Sequence, residues 1–170
     1  MEQTTLTLKP KIRHKAFTYH TQLKWKGNRT GVLQSRGKPE FRVASPPEFK
    51  GEDGVWTPED LFVASVDICT MTTFMSFAQH KNLPLVAYNS RVEGILEFTD
   101  GQYQFTRIIL RPTIVVETSK AAKQAKMILA EAHKKCLIAN SIKAKILLEP
   151  NIQSVGINGD VHPVWRNPNV

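Results

Sequence analysis

Hydrophobic and polar positions alternate along residues 17–43, a pattern that indicates short antiparallel strands. Glycine-containing turns interrupt the alternation at 27–31 and 35–39. After a polar loop and a long apolar segment, two more strand-like stretches, 86–98 and 104–116, flank an Asp-Gly pair. Such a pair between alternating stretches predicts a β-hairpin. A short closing strand is expected at 142–148.

Two helices are expected between these strands. The first begins with Thr57-Pro58-Glu59-Asp60, where a threonine cap, a proline at the first helical position and two acids favour a helix start. It should end near Lys81, before Asn82-Leu83-Pro84. Because its middle is apolar or small nearly all round, we expect burial on most sides. The second helix should span Ser119 to about His133, with an apolar face of Ala122, Ala125, Met127, Ile128, Leu129 and Ala132.

This order of elements predicts a single α+β domain over residues 1–170, without internal repeats. Residues 1–15 are expected to form a flexible arm and residues 150–170, rich in glycine and proline, an irregular tail. A chain of this size has difficulty covering a helix that is apolar on all sides. We therefore expect an obligate homodimer in which a second copy covers part of it.

A formal net charge of +8 raises the possibility of an anionic partner. The charge is scattered, and no helix-turn-helix, zinc-finger or RNP-like aromatic signature accompanies the basic residues near the N-terminus. Nucleic-acid binding through this arm is a disfavoured alternative. Without a signal-like segment or an apolar run of bilayer length, a cytoplasmic protein that is not membrane-bound is expected. In that reducing compartment, two cysteines are expected to be free and reactive.

The candidate chemistry centres on Cys69, in the middle of the first helix, and Cys136, at or beyond the end of the second. A lone cysteine in a buried helix is often only a small hydrophobic residue. The neighbours in sequence change this interpretation: Glu59 lies ten residues before Cys69, and Arg29 lies between glycines upstream. Only the thiolate form of a cysteine is a strong nucleophile, and a positive neighbour favours that form.

Three motifs carry a resemblance to a known family. Residues 56–69, WTPEDLFVASVDIC, resemble the helix-opening motif of the OsmC/Ohr family of organic hydroperoxide resistance proteins. Residues 130–136, AEAHKKC, are similar to its second cysteine motif, and residues 27–31, GNRTG, to the turn that carries its arginine. The resemblance covers about residues 20–150. It implies an OsmC-like fold of antiparallel sheets and two main helices, with the Cys69 helix central and buried in an intertwined homodimer.

The resemblance further implies a thiol-dependent peroxidase that reduces organic hydroperoxides. Cys69 would attack the peroxide and become a sulfenic acid, and Cys136 would resolve it to a disulfide. Arg29 would stabilise the Cys69 thiolate while Glu59 orients the guanidinium. No metal or bound cofactor is expected, and the implied reductant is a lipoylated protein or another dithiol. Phe62, Met71, Met75 and Phe77 would favour bulky peroxides, or would simply form core.

The chain departs from the family pattern in two places. Leu137-Ile138-Ala139-Asn140 follows Cys136, where the family commonly has Pro-Val-Ser or Pro-Tyr-Ser. Asp67 is unexpected in so apolar a helix, and we expect it to find a basic partner across the dimer. These departures leave open a non-catalytic dimer of the same fold that binds a small apolar ligand. A zinc site of His133 and Cys136, completed by His80 or Cys69, is a weaker alternative because two ligands are too few for a signature.

Overall fold

The computed structural model describes residues 15–155 and the backbone of residues 161–165, and the chain divides after Val55 into two compact units. In the first unit, an antiparallel sheet has the order β1 (Gln22–Gly27), β2 (Thr30–Gln34), β3 (Phe41–Ala44). The predicted strands are confirmed here, although pairing begins at Gln22 rather than at Phe17.

The turn between β1 and β2 is held by its own side chains. Asn28 has a left-handed backbone with φ of 44°. The Thr30 hydroxyl donates to the carbonyl of Gly27 at 2.9 Å, and the Trp25 indole donates to the carbonyl of Asn28 at 2.9 Å. These bonds fix the conformation of the turn that carries Arg29.

The second unit contains both α-helices of the described chain and a mixed sheet. In chain order its elements are α1 (Pro58–His80), β4 (Leu85–Thr99), β5 (Gln102–Val116), α2 (Ser119–Lys135), β6 (Lys145–Leu148), β7 (Asn151–Val155) and β8 (Val161–Trp165). Strands β4 and β5 form the predicted antiparallel hairpin, and β6 and β7 both pair parallel with successive parts of β5. Strand β8 pairs antiparallel with β7. The α+β prediction is confirmed.

The prediction of an irregular tail at 150–170 is wrong over much of its length, because β7 and β8 are strands of the sheet. Ile152 of β7 is 1% exposed, so this segment contributes to the core. The N-terminal arm predicted at 1–15 lies outside the described residues, except for its last residue.

Helix α1 starts where the sequence predicts, through a capping box. The Thr57 hydroxyl accepts from the backbone N–H of Asp60 at 3.1 Å, and the Asp60 carboxylate accepts from the backbone N–H of Thr57 at 3.0 Å. The helix ends at His80, followed by Asn82 in a left-handed conformation with φ of 50°. Each terminus is therefore set by local residues.

In this single chain, α1 buries one stripe rather than most of its surface. Val66, Thr70, Phe74 and Ala78, spaced four residues apart, are buried, whereas Ile68 is 58% exposed. By length and composition alone α1 could span a membrane, with a mean hydropathy of 1.5, and a core helix can have the same composition. The expectation of a cytoplasmic protein that is not membrane-bound stays a prediction. Burial of its remaining apolar surface by a second copy stays a prediction.

Helix α2 packs into the larger hydrophobic core through a strip of small and branched residues. Ala125, Ile128, Leu129 and Ala132 are at most 1% exposed. Met127, which was expected on this face, is 66% exposed, because it lies on the opposite side of the helix. The packing of α2 beside α1 fixes where Cys136 lies relative to Cys69.

Candidate functional site

The two cysteines, 67 positions apart in sequence, lie next to each other in the second unit. Cys69 is in the middle of α1 and is partly buried, and Cys136 is the C-cap of α2 and is completely buried. Both are free thiols, and they are hydrogen-bonded through their side chains. Their proximity is compatible with a disulfide between them.

A tight turn after α2 brings backbone donors to both sulfurs. The N–H groups of Leu137 and Ile138 donate to the sulfur of Cys69, and the N–H of Ala139 donates to Sγ of Cys136 at 3.5 Å. The turn is closed by its own bonds, from the N–H of Asn140 to the carbonyl of Cys136 at 3.1 Å and from the Ser141 hydroxyl to the carbonyl of Leu137 at 2.8 Å. Two adjacent N–H groups directed at one sulfur form a site suited to an anion.

Threonine hydroxyls of α1 contribute a second set of contacts. The Thr73 hydroxyl bonds to the sulfur of Cys69. The Thr70 hydroxyl donates to the carbonyl of Val66 at 2.9 Å and lies 3.8 Å from Sγ of Cys136. Thr70 is 0% exposed, so no water competes for this hydroxyl.

These contacts separate the acidities of the two thiols. Burial is the largest influence on Cys69 and raises its pKa, but the bonds from Ile138, Cys136, Leu137 and Thr73 outweigh burial and leave the pKa below the ordinary 9.0. For Cys136, burial raises the pKa, and the adjacent Cys69 raises it further against the donors Ala139 and Thr70. At neutral pH, Cys69 is therefore the thiol that more readily becomes a thiolate.

The predicted helpers lie in different units, Arg29 in the first and Glu59 in the second. The Arg29 guanidinium donates to the carbonyl of Phe49 within the first unit. In the second unit, Oε2 of Glu59 is buried and has no hydrogen-bond partner among the described residues. The pairing of Glu59 with Arg29 and the contact of Arg29 with the Cys69 thiolate stay predictions.

Asp67 has a partner that the sequence did not suggest. Its Oδ2 accepts from the Ser90 hydroxyl of β4 at 2.8 Å, while its Oδ1 is buried without a partner among the described residues. Burial, followed by the charge of Asp67, raises the pKa of Tyr88 to about 12, so this phenol stays neutral. A basic partner for Asp67 from a second copy stays a prediction.

Three of the four apolar residues proposed to favour bulky peroxides have roles in packing. Phe62 stacks on Phe105 with ring centroids 4.9 Å apart, and Met75 and Phe77 pack against the larger core.

His133, which was considered as a zinc ligand, has a buried Nδ1 without a partner in the described chain, and burial lowers its pKa. The described residues hold no group of three or more His, Cys, Asp or Glu arranged to bind a metal.

Sequence reasoning missed the residues that contact the two sulfurs most closely. Donors at Leu137 and Ile138 are backbone groups, which no side-chain motif reports. One signal was present: neither position is proline, so both N–H groups are available. Thr70 and Thr73 lie one and four residues after Cys69, but only the packing of α2 shows which sulfur each contacts.

Comparison with known proteins gives consistent matches along most of the chain. The family model described as OsmC-like protein matches residues 51–151. The uncharacterized protein YmaD of Bacillus subtilis is 22% identical over 136 residues, which cover 77% of this chain and 90% of that protein.

Solved structures share the fold. An OsmC-like protein of unknown function from Vibrio cholerae superposes with a TM-score of 0.73 at 24% identity, covering 79% of this chain and 99% of that one. An organic hydroperoxide resistance protein from Legionella pneumophila has a TM-score of 0.64 at 22% identity, covering 80% and 96%. One from Elizabethkingia anophelis has a TM-score of 0.64 at 20% identity, covering 81% and 96%. At these identities the structures establish the fold.

Proposed function

Because this chain belongs to the OsmC-like protein family and holds two hydrogen-bonded thiols of unequal acidity, we propose that it is a cysteine-based peroxidase that reduces organic hydroperoxides. The observation that carries the proposal is the hydrogen bond between the free thiols of Cys69 and Cys136. The N–H groups of Leu137 and Ile138 also donate to the Cys69 sulfur. This arrangement supplies an activated nucleophile and an adjacent second thiol. Several relatives of this fold are named organic hydroperoxide resistance proteins, which supports the choice of substrate.

The first step is attack by the Cys69 thiolate on an oxygen of the peroxide. The S–O bond forms as the O–O bond breaks, and the alkoxide leaves and takes a proton to become an alcohol. Cys69 becomes a sulfenic acid. The backbone N–H groups of Leu137 and Ile138 support this step because they stabilise the thiolate before attack.

The second step is condensation of the Cys136 thiol with the Cys69 sulfenic acid. The S–S bond forms, the S–O bond breaks, and water leaves with the proton of the thiol. Two electrons must then come from an external dithiol, either a small dithiol or a lipoylated protein, which returns both cysteines to thiols. We further propose, as the family motif implies, that Arg29 stabilises the Cys69 thiolate in the first step and that Glu59 orients the guanidinium of Arg29.

An organic substrate is favoured by the apolar surface beside Cys69. Leu137, which follows Cys136 directly and whose N–H contacts the Cys69 sulfur, is 76% exposed. Covering a hydrocarbon with such side chains contributes binding free energy that hydrogen peroxide lacks.

We also propose that the protein works as a homodimer, since much of the apolar surface of α1 is uncovered in one chain. We further propose that it works in the cytoplasm, where both thiols stay reduced.

The proposal is tested by steady-state turnover with dithiothreitol as reductant and cumene hydroperoxide or hydrogen peroxide as substrate. We expect a higher kcat/KM for cumene hydroperoxide, loss of turnover in Cys69→Ser, and faster overoxidation of Cys69 in Cys136→Ser. Full turnover in Cys69→Ser would exclude this thiol as the nucleophile. Absence of turnover in the wild type would favour a non-catalytic protein that binds an apolar ligand.

A further inference from the structure

The two sulfurs of the site differ sharply in their accessibility to a reductant. Cys69 is partly exposed, whereas Cys136 is 0% exposed, enclosed by α1 and by the turn that follows α2. Thiol–disulfide exchange requires the attacking sulfur to approach one sulfur of the bond, so access helps to decide which sulfur is attacked. A thiol from solvent has a route to Cys69 only.

The acidities of the two thiols favour attack at Cys136 with Cys69 as the leaving group. Accessibility and acidity therefore favour attack at different sulfurs. A thiol of lower pKa leaves faster, and Cys69 has the lower pKa of the pair. The difference in pKa changes the exchange rate only moderately. A reductant cannot reach the buried sulfur of Cys136 at all unless the surrounding structure moves. Access should therefore decide the outcome.

One N–H and one hydroxyl lie close enough to stabilise Cys136 as the departing sulfur, and the Thr70 hydroxyl does so once it turns from the carbonyl of Val66 toward the sulfur. The N–H of Ala139 is 3.5 Å from its Sγ, and the Thr70 hydroxyl is 3.8 Å from it. Once Cys69 is bound to another sulfur, it no longer carries the charge that opposes ionisation of Cys136. What then remains around Cys136 is the burial penalty and these two donors.

We propose that an external thiol opens the Cys69–Cys136 disulfide at Cys69, with Cys136 as the leaving group and Thr70 as the residue that positions and stabilises it. The thiolate of the reductant forms an S–S bond to Cys69 while the bond to Cys136 breaks, and Cys136 leaves with the electron pair and takes a proton. A second thiol then releases Cys69, so that two thiols of the reductant become one disulfide. The inference rests on the proposed function, since that function creates the disulfide.

The direction of opening is tested by trapping the mixed disulfide. The Cys69–Cys136 disulfide is made with diamide, which removes peroxide chemistry from the experiment and separates a failure here from a failure of the proposed function. After brief exposure to excess glutathione and an acid quench, free thiols are alkylated and the peptides are mapped by mass spectrometry. We expect glutathione on Cys69 and the alkyl group on Cys136. Glutathione on Cys136 in equal or greater amount would overturn the proposal.

The role of Thr70 is tested by the rate at which dithiothreitol opens the same disulfide. Thr70→Val keeps the shape of the buried side chain and removes the hydroxyl, and Thr70→Ser restores a hydroxyl. We expect opening to slow by about three- to tenfold in Thr70→Val, as for loss of one hydrogen bond, and to recover in Thr70→Ser. Equal rates in both variants and the wild type would remove Thr70 from the mechanism. A merely structural role would lower Tm without slowing this step.

Discussion

Replacing Leu137 by proline removes one backbone donor to the Cys69 sulfur and little else. The side chain of Leu137 is 76% exposed, so no core packing is lost. Cys136, the preceding residue, has φ of −64° and ψ of 115°, a conformation that a following proline favours. Leu137→Ala is the matched control, because it trims the same side chain and keeps the N–H.

The size of the effect follows from one hydrogen bond at a partly exposed sulfur. Such a bond contributes about 1 kcal/mol net, which corresponds to a roughly fivefold smaller thiolate fraction at neutral pH. A thiolate of higher pKa is also intrinsically more nucleophilic, by about twofold for this change. The alkylation rate of Leu137→Pro at neutral pH should therefore fall only about two- to threefold, while its plateau at high pH should rise about twofold.

The assay is the pH dependence of Cys69 alkylation by iodoacetamide in a Cys136→Ser background, with and without each change at Leu137. The midpoint should be the same in the background protein and in Leu137→Ala, because Ile138, Leu137 and Thr73 donate to Cys69 in both. It should move upward in Leu137→Pro. If the profiles of Leu137→Pro and Leu137→Ala coincide while both proteins remain folded, the N–H of Leu137 does not stabilise the thiolate.

Substitutions at three further positions test the packing and the predicted arginine. Phe74→Ala should lower the free energy of unfolding by about 3–5 kcal/mol, since Phe74 is fully buried, and Phe74→Leu should cost clearly less in urea titrations. Gly94→Ala should cost about 1–3 kcal/mol by the same measurement, because a Cβ there would lie 2.8 Å from Cε1 of Phe105 and closer to Val63. Arg29→Ala should slow Cys69 oxidation about tenfold or more in stopped-flow assays, with Arg29→Lys intermediate, and an unchanged rate would contradict the predicted role.

Local chemistry made parts of the fold predictable. The capping residues Thr57 and Asp60 mark the start of α1, and the left-handed pair Asp100-Gly101 marks the hairpin, so each is encoded within a few residues. The strands β7 and β8 were missed because glycine and proline nearby suggest irregular structure. Strand β7 pairs parallel with distant β5, and this pairing depends on tertiary packing that no local pattern reports.

The candidate site was predictable in its thiols but not in its donors. The resemblance identified Cys69 and Cys136, and the structure brings them into hydrogen-bond contact. The donors from the turn after α2 depend on backbone geometry. Leu137, where the chain departs from the family pattern, contacts Cys69 through its N–H, and the sequence did not predict this contact. Arg29 and Glu59 stay predictions from the family motif.

The most direct test of the account is a single-turnover titration of the reduced protein. One equivalent of cumene hydroperoxide is added, free thiols are counted, and any disulfide is mapped by mass spectrometry. We expect rapid loss of two thiols and a disulfide between Cys69 and Cys136. Two untouched thiols, or oxidation that stops at Cys69 alone in the wild type, would contradict it.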